Sequence, residues 1–318
     1  MPIVDLPLEQ LQAYQGRNPR PQDFDAYWAR ALEELDRTDP QVRLEPAAFQ
    51  VPGAECFDLT FTGVGGGRVY AKYLRPICAK PHPAVLQFHG YTGSSGEWAD
   101  KLPFVLMGFS IAALDCRGQA GRSEDLVPVQ GNTHTGHIIR GLDQSAEALY
   151  YRRVFLDTVR LARIVMSLPE VDANRVGAWG VSQGGGLTLA CAALEPRIRR
   201  IAPWIPFLCD YQRVWEMDLA VDAYAELKTY FRFFDPTHAR QEEVFTRLGY
   251  IDCQHLAPRI RAEVFWGLGL MDTVCPPSTQ FAAYNRIQAP KQMRIYPDYA
   301  HETPPGWMDE SLRFLAEL

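Results

Sequence analysis

A serine flanked by glycines is the feature of the sequence with the clearest chemistry. Residues 180–184 have the pattern G-x-S-x-G, between a strand-like run, VGAWGV, and an apolar helix-like run, LTLACAAL. So sharp a turn from strand to helix strains the backbone at Ser182, and it needs glycine two residues before and after because a Cβ atom there would clash. The pattern therefore predicts that Ser182 is a nucleophile, with its hydroxyl exposed at the carboxyl edge of a sheet.

A serine hydroxyl is a weak nucleophile unless a nearby base takes its proton, so a histidine and a group that orients it are also needed. His301 follows the last strand-like run, MRIYP, and Asp272 follows the run before it, EVFWGLG, which gives the chain order serine, acid, histidine. His89 is the chief alternative base, but it precedes the serine. Asp298 is the alternative acid, but it would have to fold back along its own loop. We favour Ser182, Asp272 and His301. The remaining histidines have the sequence surroundings of loops or surface: His82, His134, His137, His238 and His255.

Backbone amides are expected to complete the site. The tetrahedral intermediate of acyl transfer carries a negative oxygen, which fixed N–H groups stabilise. One donor is expected from Gln183, directly after the nucleophile, where a helix begins with unpaired amides and a favourable dipole. The second is expected from the loop HGYTG at 89–93, and we assign it to the N–H of Tyr91.

The order of apolar segments predicts the elements that position these residues. After Pro83, short apolar runs alternate with helical stretches, which is typical of a mostly parallel sheet flanked by helices. Together with the serine turn, this predicts an α/β-hydrolase fold in a single domain over residues 1–318. The predicted strands are AVLQFH, SIAALD, VGAWGV, RIAPWI, EVFWGLG and MRIYP, and the predicted helices lie at about 98–107, 148–168, 185–194, 277–286 and 308–318.

Three other segments depart from this alternation. Residues 1–80 contain one predicted helix, near 23–35, and the alternating runs CFDLTFT and RVYAKYLRP, so we expect an antiparallel lead-in. Residues 123–144 are polar and rich in glycine and histidine, whereas residues 207–250 are aromatic and charged. Insertions at such positions usually form the walls of a site. We therefore expect the segment 207–250 near the site or at an interface.

Composition excludes several classes of function. Of the 318 residues, 47% are hydrophobic and 22% are charged, and the net charge of −6 includes no basic stripe. Neither nucleic acid nor membrane is therefore expected as a partner, which leaves neutral small molecules. Asp5 and Glu9 stand where a signal peptide needs an apolar run, and no run reaches the roughly 18 apolar residues of a membrane span. With seven scattered cysteines and no C-x-x-C pair, we expect a cytoplasmic protein with reduced, mostly buried thiols.

Three short motifs resemble, in order, the signatures of carbohydrate esterase family seven, the family of acetyl xylan esterases and cephalosporin C deacetylases. They are Arg117-Gly118-Gln119, GVSQG at 180–184 and His301-Glu302. The likeness covers nearly the whole chain, since HGY at 89–91, YYRRVFLDTVR at 150–160 and PPSTQFAAYN at 276–285 also resemble the family. The chain differs at Val181, where the family often has glycine, and in the loop around residues 92–98.

The resemblance implies a serine esterase that removes acetyl groups from acetylated xylo-oligosaccharides and from the acetoxymethyl group of cephalosporins, without a metal or cofactor. It also implies a ring-shaped homohexamer whose active sites face a central cavity. Two other functions stay open. One is a broad short-chain carboxylesterase or peptidase of the same fold, because a triad does not select its acyl group. The other is a binding protein that has lost catalysis, which predicts a broken triad, whereas all three residue types are present.

Further expectations concern residues around the site. Arg117 and Glu302 belong to the first and third motifs, and we expect a charge pair because an unpaired arginine is costly near a dry site. The run YFRFF at 230–234 is apolar for an exposed insertion and favours an oligomer interface, with core packing as the alternative. Bulky residues expected to close the acyl side, and so to favour acetyl over longer groups, are Tyr91, Trp98, Trp204, Phe207 and Trp215.

Overall fold

The computed structural model describes residues 4–78, 80–129 and 135–318. The strands are β1 (Arg43–Pro46), β2 (Ala54–Thr62), β3 (Arg68–Pro76), β4 (His82–Phe88), β5 (Ser110–Leu114), β6 (Val171–Val181), β7 (Arg200–Trp204), β8 (Glu263–Gly269) and β9 (Lys291–Tyr296). The α-helices are α1 (Leu8–Ala13), α2 (Phe24–Arg37), α3 (Leu102–Leu106), α4 (Tyr150–Ser167), α5 (Gln183–Leu194), α6 (Tyr211–Glu216), α7 (Ala225–Phe234), α8 (Gln241–Leu248), α9 (Cys253–Leu256), α10 (Pro277–Tyr284) and α11 (Trp307–Leu315). Short 3-10 turns cover Ala99–Lys101, Ala146–Ala148, Asp222–Tyr224, Gly249–Ile251 and Ala257–Arg259.

Within the described residues, the strands form one nine-stranded sheet in the order β1-β2-β3-β5-β4-β6-β7-β8-β9. Neighbouring strands from β5 to β9 are parallel. β1, β2 and β3 are antiparallel to their neighbours, and β3 pairs antiparallel with β5. The predicted α/β-hydrolase fold, a mostly parallel sheet flanked by helices, is confirmed, and so is the antiparallel lead-in.

Helices cover both faces of the sheet because successive strand residues point in opposite directions. On β4, Leu86 packs in one apolar cluster with residues of α4 and α5, such as Leu156 and Leu189. Its neighbour Val85 packs in a second cluster with residues of α3 and α11. The core therefore consists of two apolar layers, one on each side of the sheet.

Two buried helices fix the position of the serine turn. Every residue of α5 is buried, and its small and apolar residues leave no polar face, which is typical of a helix enclosed on all sides. α4 packs along α5, and most residues of α4 are buried as well. Because such packing is dense and yields little, the start of α5, next to Ser182, is held in one position.

The segment 207–250, predicted only as an insertion, folds into α6, α7 and α8. Its aromatic residues pack largely on one another, as Trp215 does on Phe231 with ring centroids 5.3 Å apart. In the run at 230–234, Tyr230 and Phe231 are buried, whereas Phe233 and Phe234 are 73% and 58% exposed. Core packing therefore accounts for the first half of the run, and its second half is apolar surface.

One buried carboxylate ties the N-terminal segment to the start of this insertion. Asp210 accepts hydrogen bonds from the hydroxyl of Tyr14 (2.8 Å) and from the N–H groups of Asn18 (2.8 Å) and Arg17 (3.0 Å). Its own N–H donates to Asp252 at 3.0 Å. Burial raises the pKa of both carboxyls. The charge of Asp210 adds to the rise at Asp252, whose pKa reaches about 7.

Two expectations drawn from composition can also be compared with the structure. All seven cysteines are free thiols, and six of them are buried, in agreement with mostly buried thiols. Across residues 4–78, 80–129 and 135–318, no helix is long and apolar enough to cross a membrane.

Candidate active site

Ser182 lies at a strained turn between β6 and α5. Its φ of 57° and ψ of −116° lie outside the regions that residues other than glycine favour, at a cost on the order of 1–3 kcal/mol. A Cβ atom on Gly184 would lie 2.0 Å from the carbonyl oxygen of Phe88, and one on Gly180 would lie 2.5 Å from the carbonyl of Gly184. The steric reason predicted for both glycines is thus confirmed. The N–H of Ser182 donates to the carbonyl of Trp204 at 3.0 Å, so β7 holds the turn in place.

The structure brings Ser182, His301 and Asp272 together from the carboxyl ends of β6, β9 and β8. Asp272 is fully buried, and its Oδ1 accepts hydrogen bonds from the N–H groups of Cys275 (2.8 Å) and Val274 (2.9 Å). Its Oδ2 lies 2.8 Å from Nδ1 of His301, and Nε2 of His301 lies 3.0 Å from Oγ of Ser182. An ionised carboxylate only accepts hydrogen bonds, so Nδ1 carries the hydrogen and the Nε2 lone pair faces the serine hydroxyl. This geometry suits His301 to take the serine proton.

The alternative base and acid stand outside this chain of hydrogen bonds. His89 accepts from the N–H of Cys116 at Nε2 (2.9 Å) and donates from Nδ1 to the carbonyl of Gly90 (2.7 Å). Both ring nitrogens are therefore committed to backbone, and burial lowers the pKa of His89. Asp298 is exposed. Of the other histidines, His134 lies outside the described residues, and the rest contact other groups: His82 contacts Ser110, His137 contacts Tyr150, His238 contacts Trp215 and His255 contacts Asn18.

Two backbone amides near the turn are available to a ligand. Among the described residues, none accepts a hydrogen bond from the N–H of Tyr91 or of Gln183. Gln183 begins α5, and the first amides of a helix have no partner within the helix. Tyr91 lies in a tight turn after β4, where Thr92 has a φ of 58° and the N–H of Gly93 donates to the carbonyl of Gly90 at 3.1 Å. Both amides have the freedom that an oxyanion hole requires.

The side chain of Gln183 joins the serine turn to residues 89–93, here called the oxyanion loop. Its Nε2 lies 3.3 Å and 3.4 Å from the carbonyl oxygens of His89 and Gly90. Its Oε1 accepts hydrogen bonds from Nε2 of Gln119 and the hydroxyl of Tyr151, both at 2.8 Å. A satisfied buried network of this kind makes a site rigid. Sequence reasoning gave neither glutamine side chain a role, and the only signal was that Gln119 stands in the first motif and Gln183 in the second.

The expected pair of Arg117 and Glu302 is wrong. Arg117 is buried and instead binds Asp157 of α4, with Nε to Oδ2 at 2.5 Å and Nη2 to Oδ1 at 2.8 Å. Its Nη1 donates to the carbonyl of Val64 at 2.8 Å. Glu302 is exposed, and its carboxylate accepts from the N–H of Ala300 at 3.4 Å. Arginine does need a buried partner, but helix α4 supplies it rather than a neighbouring motif.

The bulky residues that were expected to close the acyl side divide into two groups. Tyr91 and Phe207 contact each other edge to face, with ring centroids 5.7 Å apart, and the N–H of Phe207 donates to the carbonyl of Ser182 at 3.0 Å. The other three pack on rings elsewhere: Trp98 on Phe49, Trp204 on Trp307 and Trp215 on Phe231. Of the five, Phe207 and Trp204 contact the backbone of Ser182 directly, and Tyr91 contacts Phe207.

One group of metal-ligand residues occurs in the described chain, and it overlaps the site. Ligand atoms of Asp272, Cys275 and His301 lie within 4.8 Å of one another. A cation bound there would take over the contact between Asp272 and His301, which already satisfies both groups. The arrangement therefore fits proton transfer better than metal binding.

The family model for acetyl xylan esterase (AXE1) matches residues 1–318. The chain belongs to the acetyl xylan esterase family. This is a family of carboxylic ester hydrolases, so the resemblance noted in the sequence is confirmed.

Solved members of the acetyl xylan esterase family have the same fold throughout. Acetyl xylan esterase 1 from Thermoanaerobacterium sp. JW/SL YS485 is 55% identical, with a TM-score of 0.97 and 99% of each chain covered. The acetyl xylan esterase from Paenibacillus sp. R4 is 34% identical, with a TM-score of 0.93, covering 98% of this chain and 99% of that one. The acetyl esterase Axe7A of Xylanibacter ruminicola is 28% identical in an alignment 293 residues long that covers 89% of this chain. The chain spans only 64% of the length of Axe7A.

Proposed function

We propose that the protein is a serine esterase that removes acetyl groups from acetylated xylo-oligosaccharides and from cephalosporin C through an acyl-enzyme. The observation that carries the proposal is the continuous chain of hydrogen bonds from Asp272 through His301 to Ser182. Two similar proteins named acetyl xylan esterase, and one named acetyl esterase, support acetyl esters as the substrate class. The cephalosporin substrate rests on the family resemblance alone.

The geometry supports the following sequence of steps. Oγ of Ser182 attacks the acetyl carbonyl carbon while Nε2 of His301 takes the hydroxyl proton. The carbonyl oxygen becomes an oxyanion that accepts hydrogen bonds from the N–H groups of Tyr91 and Gln183, and Asp272 stabilises the imidazolium without taking its proton. Nε2 then returns the proton to the departing alcohol oxygen, which leaves acetyl-Ser182. Water attacks this ester in the same way, acetate departs and the serine hydroxyl is restored.

The decisive test is acetate release from acetylated xylo-oligosaccharides and cephalosporin C, with a Ser182→Ala control. We expect wild-type protein to release acetate. The rate of Ser182→Ala should be lower by a factor of about 10⁴–10⁶, and this variant should no longer be labelled by a serine-directed phosphonate. A Ser182→Ala variant with near wild-type activity would remove Ser182 as the nucleophile. Cleavage of peptide amides in preference to acetyl esters would favour the peptidase alternative.

The length of the acyl group distinguishes a deacetylase from a broad carboxylesterase. An open apolar pocket gains about 0.8 kcal/mol for each buried methylene, whereas packed walls resist added volume. We expect kcat/KM to be highest for p-nitrophenyl acetate, lower for butyrate and lowest for octanoate. Octanoate equal to or faster than acetate would favour a general carboxylesterase.

We also propose a homo-oligomer, with six copies as the family resemblance implies. The support on this chain is the apolar surface of α7, where Phe233 and Phe234 are largely exposed. Light scattering at micromolar concentration should give a multiple of the 36.0 kDa chain mass, and Phe233→Ser with Phe234→Ser should lower it. A wild-type mass of one chain would contradict the assembly.

A further inference from the structure

A single buried carboxylate joins the oxyanion loop to both insertions. Glu226 lies in the first turn of α7 and is only 5% exposed. One of its oxygens accepts the hydrogen bond of the Tyr91 hydroxyl, and the other accepts that of the Ile138 N–H at 2.6 Å. Tyr91 belongs to the oxyanion loop, Ile138 to the segment 123–144 and Glu226 to the segment 207–250. Three elements that are distant in sequence therefore meet at one side chain.

The surroundings of Glu226 match a carboxylate that accepts several hydrogen bonds. Burial raises the pKa of Glu226 to about 7, and the backbone N–H groups of residues 136–139 act against that rise. An ionised carboxylate has about four acceptor positions, so it can serve the tyrosine hydroxyl and the amides together. Charge-assisted hydrogen bonds are shorter and stronger than neutral ones. In its ionised form, Glu226 therefore holds the tyrosine hydroxyl and these amides by stronger hydrogen bonds than a neutral side chain would.

The remainder of the Tyr91 side chain is fixed by packing. Its ring meets His137 edge to face at 5.3 Å and Phe207 edge to face at 5.7 Å. Phe207 in turn donates its N–H to the carbonyl of Ser182. The side chain is thus held at its tip and on two sides, while the backbone N–H of the same residue is left without a described acceptor. Because the loop carries glycines at 90 and 93, its backbone has little stiffness of its own.

We propose that Glu226 is a positioning residue for the oxyanion hole, because its hydrogen bond with the Tyr91 hydroxyl fixes the direction of the Tyr91 N–H. The inference rests on the proposed function, in which that N–H is one of two oxyanion donors. Glu226 acts only through Tyr91 and does not touch the substrate. Loss of one donor typically lowers kcat by about 10²–10³, so displacement of one donor should lower it less, by about tenfold.

Variants at the two ends of this hydrogen bond test the proposal with p-nitrophenyl acetate. We expect Tyr91→Phe and Glu226→Ala each to lower kcat by about tenfold with KM within twofold of wild type. The double variant should be no slower than Glu226→Ala, because Glu226→Ala already removes the interaction between the Tyr91 hydroxyl and the Glu226 carboxylate. Glu226→Gln should stay within about threefold of wild type, since its amide can accept from Ile138 and donate to the Tyr91 oxygen.

Tyr230→Phe is the matched control. Tyr230 lies on the same helix as Glu226, and its hydroxyl donates to the carboxylate of Asp143 at 2.6 Å. Asp143 is not part of the oxyanion loop. This variant loses an interaction of the same kind and should keep wild-type kcat. Amide hydrogen exchange of residues 89–93 should rise in Glu226→Ala and Tyr91→Phe but not in Tyr230→Phe. That measurement needs no turnover and reports on the loop directly.

The outcomes separate the two proposals. If Tyr91→Phe keeps both wild-type kcat and wild-type exchange in the loop, Glu226 has no positioning role, whether or not Glu226→Ala folds. The same conclusion follows if Tyr230→Phe loses as much kcat as Tyr91→Phe. Wild-type protein without esterase activity, or an active Ser182→Ala variant, overturns the proposed function and this inference with it.

Discussion

Nε2 of His301 lies 3.0 Å from Oγ of Ser182, although the two residues are 119 positions apart in the chain. They meet because β6 and β9 belong to the parallel part of the sheet, where the carboxyl ends of all strands share one edge. Asp272, which follows β8 between them, reaches the same edge. Ser182, His301 and Asp272 are therefore assembled by the sheet before any substrate arrives.

Replacement of Asp272 by asparagine tests its role in orienting His301. The variant keeps an oxygen for the N–H groups of Val274 and Cys275, so we expect it to fold. It loses the charge that stabilises the imidazolium, and kcat should fall by about 10³–10⁴. Asp298→Asn is the matched control and should leave kcat unchanged. Similar losses in both variants would reopen the choice of acid.

The buried pair of Arg117 and Asp157 should dominate the effect of substitutions in the first motif. Arg117→Met leaves an unpaired buried carboxylate, so we expect a loss of about 3–5 kcal/mol in the free energy of unfolding, measured with urea. Arg117→Met combined with Asp157→Leu removes both charges and should recover much of that loss. The exposed pair of Arg37 and Glu33 offers a control, since Arg37→Met should cost less than about 1 kcal/mol. Equal losses for the single and double buried variants would contradict this account.

Two glycine substitutions differ sharply in the space that a methyl group would find. At Gly184 a Cβ atom would lie 2.0 Å from the carbonyl oxygen of Phe88, and neither backbone can yield. At Gly90 the nearest atom is 3.9 Å away, at the carbonyl of Val181. We expect Gly184→Ala to be insoluble or inactive, and Gly90→Ala to fold with a melting temperature within a few degrees of wild type. A stable, active Gly184→Ala variant would show that the turn is not so tightly packed.

The pKa of Asp252 predicts how stability depends on pH. Its pKa of about 7 is above the ordinary value near 4, so between these values the folded chain binds more protons than the unfolded chain. The free energy of unfolding should therefore fall as pH rises from about 4 to 7, and remain lower above that range. Asp252→Asn removes this contribution while its oxygen can still accept the N–H of Asp210 and of Gln254.

The free energy of unfolding of Asp252→Asn, measured with urea and taken relative to wild type, should therefore increase by on the order of 1–3 kcal/mol from pH 5 to pH 8. If the free energies of unfolding of Asp252→Asn and wild type differ by the same amount at pH 5 and at pH 8, the raised pKa does not belong to Asp252.

The strands of the parallel sheet could be predicted because they are short apolar runs buried on both faces. The run SIAAL of β5, for example, is buried at every position. β1 could not be predicted, since its residues RLEP are exposed or half-buried and show no alternation. The helices of the segment 207–250 are 6 to 10 residues long, too short for a helical period to stand out.

The residues of the candidate site divide in the same way. Ser182, Asp272 and His301 follow from chain order, because each stands just after a recognisable strand. Glu226 does not, since it meets Tyr91 across 135 positions and belongs to no motif. Arg117 was assigned the wrong partner because Asp157 stands in the middle of a helix, 40 positions away along the chain. Contacts between side chains of separate loops and helices depend on tertiary packing, which local patterns do not contain.

The hold of Asp210 on residues 14–18 affects the order in which a growing chain finds its structure. Asn18 is made 192 residues before Asp210, which at about 5–20 residues per second is an interval of roughly 10–40 s. Trp28 waits longer still, since its Nε1 donates to the carbonyl of Tyr250. Residues 14–28 are thus synthesised well before the residues that bind them, and their apolar side chains stay exposed to chaperones and proteases during that interval.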